Sequence, residues 1–459
     1  MYKINFEKPI HLHFIGIGGI SMSGLAEILL KENFRISGSD ARASELTDKL
    51  TELGASIVFG QRASNITDDI DAVVYTAAIH PGNPELDAAL DKQLPTLTRA
   101  ELLGQIMENY RESIAVSGTH GKTTTTSMIT QILLQACTDP TISVGGILKS
   151  IDGNIRVGSS DFFLTEACEY TNSFLHFYPK YALILNIEED HLDFFKDLED
   201  IRRSFQQFAG NVSPGGTLIL NGEIERFQEL TEGLSCKILT YGMSGSNSYY
   251  ADNITFNTQG CADFTLMHEG SPLGDISLKV PGMHNVSNAL ASCALALEMN
   301  LDFTHIQQAL AEFEGPNRRF EHKGDLGGIA VIDDYAHHPA EITATLTAAR
   351  TCGTHRIVCV FQPHTYTRTK AFLDEFAEAL SLADVVVLAD IYAARETDTL
   401  GISSRDLQKK LQNSGCECHY FPSFDEIENF LLNKCINGDL LITMGAGDIV
   451  QVGEHLLGK

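Results

Sequence analysis

The sequence predicts an α/β protein of roughly three domains, and three observations carry that expectation. The chain has 459 residues, more than one hydrophobic core organises. Short apolar runs recur along it, each followed by a glycine-rich or polar loop and then a helix-like stretch, which is the pattern of parallel β-α units. Two of the loops, after residues 12–15 and 114–116, have the composition of anion-binding turns at helix starts.

The first run is Leu12-His13-Phe14-Ile15, followed by Ala72-Val73-Val74-Tyr75, and this unit is expected to end near residue 108. A second unit, residues 109–316, opens with Ile114-Ala115-Val116. It continues through Ala182-Leu183-Ile184-Leu185 and Thr217-Leu218-Ile219-Leu220, a β-rich stretch over 239–280, and a helix-like segment over 285–297. The third, residues 317–459, follows Gly315-Pro316. It holds Ile329-Ala330-Val331-Ile332, Ile357-Val358-Cys359-Val360 and Val385-Val386-Val387-Leu388.

Composition excludes several roles. Apolar residues make up 43% of the chain and charged residues 20%, which suits folded domains and not disorder. A net charge of −27 leaves no general basic face for releasing counterions, so neither nucleic acid nor an anionic membrane is an expected partner. Phosphorylated ligands would need local donors. The ten cysteines form no C-x-x-C pair, so reduced thiols are expected in place of a zinc site or a disulfide framework. The N-terminal residues lack a secretory signal and no apolar run has the length of a membrane span, so a cytoplasmic protein without membrane insertion is expected.

The strongest chemical signal is Ser117-Gly118-Thr119-His120-Gly121-Lys122-Thr123-Thr124. It joins an apolar run to a helix start as a phosphate loop does. Glycines turn backbone amides toward an anion, Lys122 supplies a mobile cation, and the Thr123 hydroxyl can reach Mg²⁺. Val116 stands where the longer motif has its first glycine, so this is the short G-x-x-G-K-T form. Gly16, Gly18 and Gly19 follow the first run, with Asp40 about twenty residues on in the manner of a dinucleotide fingerprint. Ser21 replaces its third glycine, which breaks the nicotinamide match and leaves a diphosphate cradle with Asp40 set to meet a ribose or base.

Ligands of open α/β sheets gather at the carboxyl ends of strands. Glu166 ends one apolar run and Asp190-His191 follow another, so Glu166 and His191 could converge with Thr123 on a metal ion bound to phosphates. For Asp190-His191 a helix cap is the competing reading. Asn288 suits reading a base edge, although capping fits as well. In Arg318-Arg319 a guanidinium could clamp phosphate. Two further clusters at strand ends, 333–341 with Asp334, Tyr335, His337 and Glu341, and 361–369 with Thr365 and Arg368, carry reactive types side by side. The turn Met444-Gly445-Ala446-Gly447-Asp448 reads equally as structure or site.

G-I-G-G-x-x-M-S-G, G-T-H-G-K-T-T-T-T, E-A-C-E-Y, D-H-L-D, H-N-V-x-N-A, R-R-F-E, D-D-Y-A-H-H-P-x-E, F-Q-P-H-x-Y-T-R-T and M-G-A-G-D occur in that order from Leu12 to Asp448. In this combination the chain resembles the Mur ligases, and within them the members that attach L-alanine to UDP-N-acetylmuramate. The resemblance implies a Rossmann-like N-terminal domain for the UDP-sugar, a central phosphate-loop ATPase domain and a Rossmann-like C-terminal domain for the amino acid. It implies ATP-driven amide formation through an acyl phosphate, with Mg²⁺ at two positions, in a monomer or homodimer.

The same resemblance distributes the residues. Gly16, Gly18, Gly19, Ser21 and Asp40 would bind the UDP-sugar. Gly118, Thr119, His120, Gly121, Lys122, Thr123 and Thr124 would hold the triphosphate of ATP, with Asn288 at adenine, Arg319 at phosphate and Asp334 at ribose. Thr123, Glu166 and His191 would ligate metal. Tyr335, His337 and Arg368 would border the amino acid, with Lys122, His337 and Arg368 catalytic and His337 a candidate base. Thr365 stands where many relatives carry arginine. Lys196 is placed wrongly for the carbamylated lysine of sister ligases, so that modification is not expected. The rivals are a ligase that recycles a tripeptide onto the same sugar nucleotide, a nicotinamide oxidoreductase and a nucleotide-binding module without turnover.

Overall fold

The computed structural model describes residues 3–76, 78–353, 356–394 and 396–459. Three sheets follow one another along the chain. The first is wholly parallel, in the order Ser56–Phe59, Arg35–Asp40, His11–Ile15, Ala72–Tyr75 and Thr96–Thr98. His11–Ile15 therefore has neighbours reached by crossovers in opposite directions, and the glycine loop after it faces the crevice that such a switch creates.

The central sheet has ten strands. Its middle is parallel, with Glu112–Ser117 between Tyr181–Ile184 and Phe162–Glu166, so the phosphate loop also leaves a switch point. An antiparallel meander, Tyr249–Phe256, Cys261–His268 and Ser271–Pro281, extends one edge. At the other edge Thr141–Leu148 pairs with Gly153–Arg156, a hairpin the sequence pattern did not suggest because Gly145-Gly146 interrupts it. The expected helix-like segment is the helix Met283–Glu298.

In the third sheet the edge strand Glu321–Leu326 runs antiparallel to Ile329–Asp334. Asp439–Met444, Arg356–Phe361, Val385–Leu388 and Glu417–Tyr420 then follow in parallel. The strands are continuous apolar runs because helices cover both faces of each sheet's parallel part. Two apolar clusters, one around Phe361 and Phe376 and the other around Val358 and Val387, mark those faces.

The first and central sheets share a core. Leu102 and Ile106 on the helix Arg99–Met107 belong to the same buried cluster as Phe174 and Phe177. Two glycines allow this approach. A Cβ on Gly104 would lie 2.1 Å from the carbonyl oxygen of His176, and one on Gly24 would lie 2.3 Å from Ile155. The ten cysteines are all free, and four of them, Cys261, Cys293, Cys359 and Cys418, are buried. No helix among the described residues is long and apolar enough to cross a membrane.

Candidate active site

The phosphate loop forms because Gly118 and Gly121 take φ values of +143° and +80°, conformations that only glycine adopts without strain. Gly121 then caps the helix Lys122–Gln135 with no side chain of its own, leaving the first amides free for an anion. A Cβ on Gly121 would meet Asn288 Oδ1 at 2.7 Å, so the loop has no room for any other residue there. Asn186 fixes the loop from below. Its Oδ1 accepts from the His120 amide at 2.7 Å and its Nδ2 donates to the His120 carbonyl at 3.0 Å.

A cleft of about 220 Å³ opens beside this loop, lined by His120, Gly121, Thr124, Asn288, Arg319 and Asp334 among others. The central and C-terminal sheets both contribute to it. Asn288, on the helix Met283–Glu298, is held by Thr125 Oγ1 at 3.2 Å and by Asn285 at 3.1 Å. The two arginines divide their work. Arg318 is bound to Asp333 at 2.8 Å and to the carbonyls of Gly445 and Gly447 at 2.8 and 3.0 Å, so the glycine turn after Asp439–Met444 serves as its anchor. Arg319 reaches the cleft. Asp334 accepts from the Phe320 and Ala336 amides at 2.8 and 2.7 Å, and burial raises its pKa to about 6.

Glu341, which carried no assigned role in the sequence, is the hub of this cleft. One carboxylate oxygen lies 3.2 Å from His120 Nδ1 and 3.8 Å from the Arg319 guanidinium. The other accepts from the His337 amide at 3.1 Å and lies 3.3 Å from His337 Nδ1. Glu188 stands 3.3 Å from His120 Nε2 without hydrogen-bond alignment. Burial disfavours a charge on His120, yet Glu188 and Glu341 carry its pKa up to about 9.

The expected metal ligands flank the other side of the loop in two places. Gly145 and Gly146 lie against Glu166 and Thr123 respectively, since Cβ atoms there would approach Glu166 Oε2 and Thr123 Cγ2 to 2.9 Å each. The Gly145 amide donates to Glu166 Oε1 at 2.6 Å. His191 stacks on Tyr170 at 4.5 Å between centroids, and burial lowers its pKa, leaving a neutral imidazole. Hydroxyl, carboxylate and neutral imidazole are residue types that suit a divalent cation whose remaining ligands are phosphate and water. The structure brings Thr123 and Glu166 to neighbouring glycines and sets His191 beside Glu169 and Asp190. His120, Glu188 and His338 also crowd together. Both His338 nitrogens are engaged, with the Glu189 carbonyl at 3.0 Å and the Ala340 amide at 3.3 Å, so that group is an interdomain contact.

Asp190 is no helix cap. Asp197 caps the following helix Leu198–Gly210, and Asp190 pairs with Arg368 at 2.9 Å. Burial opposes the Asp190 charge, but Arg368 and His191 hold its pKa well below the usual carboxylate range. A second cavity of about 450 Å³ is lined by Arg368, Asp190, His191, Thr365 and His364. Tyr335 and His337, expected at the amino acid, line neither cavity. The Tyr335 ring carries the Arg318 and Arg319 guanidinium groups at 5.0 and 5.2 Å. His337 lies 5.6 Å from His364 between ring centroids. Its Nδ1 donates to the Tyr335 carbonyl at 2.9 Å, and burial lowers its pKa to about 4. The ring is therefore neutral with its lone pair on Nε2.

The N-terminal glycines form a separate loop. The Gly16 and Ile17 amides donate to the Ser39 carbonyl at 2.8 and 3.0 Å, and the Gly18 amide to Asp40 Oδ2 at 2.8 Å. Gly19 caps the helix Ile20–Lys31 and Ser21 is exposed in its first turn. None of these residues lines either cavity described above.

Fold and site together define a phosphate-loop α/β protein whose nucleotide cleft is closed by a further domain. Three family models match in series: the Mur ligase family catalytic domain over residues 11–111, the Mur ligase middle domain over 116–296 and the Mur ligase glutamate ligase domain over 318–447. The chain belongs to the Mur ligase family. It is 62% identical over 459 residues, the whole of both chains, to the UDP-N-acetylmuramate–L-alanine ligase of Agathobacter rectalis. The crystal structure of the UDP-N-acetylmuramate–alanine ligase of Thermotoga maritima matches with a TM-score of 0.79 at 30% identity, covering 98% of each chain. That of a murein peptide ligase from Psychrobacter arcticus matches with a TM-score of 0.68 at 25% identity, also over 98% of each.

Proposed function

We propose that the chain joins L-alanine to the lactyl carboxylate of UDP-N-acetylmuramate at the expense of ATP, releasing ADP and phosphate, as a step in making peptidoglycan precursors. The observation that carries this reading is the full-length 62% identity to an alanine-adding ligase, set on a cleft in which a phosphate loop faces Arg319 and Asp334. Residues 1–108 would hold the UDP-sugar on Gly16, Gly18, Gly19, Ser21 and Asp40. Residues 109–316 would hold ATP, and residues 317–459 the amino acid.

A carboxylate oxygen of the lactyl group attacks the γ-phosphorus, the bond to the β-phosphate oxygen breaks, and ADP leaves. The alanine nitrogen then attacks the acyl carbon of the mixed anhydride and the C–O bond to phosphate breaks. The carboxylate needs this activation because its own oxygen is a poor leaving group. Lys122 and Arg319 stabilise charge on the phosphoryl oxygens, while Asn288 and Asp334 orient the nucleoside. Arg368 faces Asp190 in the second cavity, and His337 Nε2 is the candidate acceptor of the amine proton, a weak one while burial holds its pKa at about 4. Thr123, Glu166 and His191 would hold Mg²⁺, which supplies compensation for phosphate charge.

Phosphate release with ATP, Mg²⁺ and UDP-N-acetylmuramate, scanned across amino acids and a cell-wall tripeptide, tests the assignment. Alanine is expected to give the highest kcat/KM. Preference for the tripeptide would transfer the chain to the recycling reaction, and no phosphate release with any acceptor would end the proposal. His337→Ala with undiminished turnover would remove that residue as the base.

A further inference from the structure

The phosphate-loop lysine is restrained in a way that binding a triphosphate does not require. Lys122 Nζ donates to the Gly118 carbonyl, to the Thr119 carbonyl at 3.1 Å and to Glu169, whose Oε2 is at 2.9 Å and Oε1 at 3.3 Å. An ammonium has three N–H groups, and all are turned toward protein. Glu169 is 2% exposed and cannot swing into water. Burial opposes the charge on Lys122, and Glu169, with Glu166 further off, holds it in the charged form.

Glu169 Oε1 also lies 3.8 Å from His191 Nε2. The carboxylate thus stands between the lysine and a residue of the metal-ligand set. A triphosphate needs the donors that Glu169 engages, and it brings several negative charges beside two carboxylates in a space with little water to screen them. One lysine does not balance that charge. A divalent cation would offset two more of those charges.

We propose that Glu169 is a positioning residue that holds Lys122 away from the phosphate cradle and makes nucleotide entry conditional on a divalent cation. The inference rests on the reading of the loop as the triphosphate site. Metal-free ATP meets Glu169 as a repelling charge. With Mg²⁺ bound to the phosphates the repulsion would be reduced, and Lys122 would be free to exchange Glu169 for phosphate oxygens.

The test measures ATP binding by competition against a fluorescent ATP analogue, with excess Mg²⁺ and with EDTA, in the unmodified protein and in Glu169→Gln. The glutamine keeps the shape and removes the charge. Metal-free ATP is expected to bind about tenfold more tightly to the variant, and the gain from Mg²⁺ to shrink by about the same factor, as reciprocal linkage requires. A purely structural role predicts weaker binding in both conditions, and equal change or weaker metal-free binding overturns the proposal.

Leaving Lys122 buried without its partner costs stability, so a second pair of variants removes the lone charge. Lys122→Met with Glu169→Gln is expected to bind metal-free ATP more tightly than Lys122→Met alone, and equal or weaker binding also overturns it. Failure of the unmodified protein to bind ATP with Mg²⁺ would instead sink the triphosphate assignment of the loop.

Discussion

The nucleotide cleft and the N-terminal glycine loop are both switch-point sites on parallel sheets, yet they are built on opposite principles. The cleft is assembled from two domains and held by charge: His120 meets Glu341 across it, Arg319 lies beside the same Glu341, and Asp190 pairs with Arg368 across the neighbouring cavity. The N-terminal loop belongs to one sheet and is held by backbone amides on Ser39 and Asp40. A phosphoryl-transfer site needs fixed charges placed before reaction. A loop that only grips a substrate by a remote group needs a fixed shape, which the bonds to Ser39 and Asp40 supply. Damage to the first should appear in kcat, and damage to the second in KM.

The largest effect is expected at the cleft. Lys122→Met should lower kcat by about a thousandfold or more, as loss of a charge stabiliser does, while binding of UDP-N-acetylmuramate alone stays within twofold or so. Isothermal calorimetry with the sugar nucleotide and a coupled ADP assay would separate the two. Equal loss in both would erase the distinction between the regions.

Next in size is Glu341→Gln. It keeps the side chain's shape but removes the charge shared by His120, Arg319 and His337 and turns an amide donor toward one of them, and kcat should fall by about a hundredfold. The variant should also lower the pKa of His120 from its value of about 9, readable from the imidazole resonances in NMR titration. An unchanged His120 titration would show that Glu188 alone sets it.

Gly18→Ala probes the other region. Its Cβ would meet Asp40 Oδ2 and Thr47 Cγ2 at 2.9 Å, displacing the acid without touching the cleft. KM for the sugar nucleotide should rise by about tenfold with kcat nearly intact. A fall in kcat of the same size would mean that the loop takes part in more than binding.

The smallest effect is on stability against pH. His120 is raised from 6.5 to about 9, so its contribution is complete below 6.5 and is lost as pH climbs through 9. His337 is depressed to about 4, so the unfolded chain takes up its proton first and stability falls as pH drops from 6.5 toward 4. Melting temperature should therefore decline on both sides of a maximum near neutrality, and His120→Ala should flatten only the alkaline side.

Much of the fold was legible because parallel strands covered on both faces read as unbroken apolar runs. His11–Ile15, Ala72–Tyr75, Ile329–Asp334 and Val385–Leu388 fall where those runs lie. The hairpin containing Gly145 and Gly146 was not legible, since its glycines signal a turn until the loop packed against them is known. The chemistry at strand ends was visible as residue types, but partnership was not. Glu341 meets His120 across 221 positions and Asp190 meets Arg368 across 178. No local pattern encodes such pairings, so Glu341 and Asn186 gained their places only from the tertiary structure.

The bare backbone at Gly24 and Gly104 has a mechanical consequence. Where Cβ atoms would overlap Ile155 and the His176 carbonyl, the first two domains interlock through a continuous apolar core and resist sliding. The joint between the second and third domains is instead bridged by largely buried ion pairs, Asp190 with Arg368 and His120 with Glu341, and parting them would leave desolvated charges without partners. That joint is therefore expected to stay shut until a ligand supplies replacement charges, and scattering profiles that showed the last third swinging freely in the unliganded protein would overturn this.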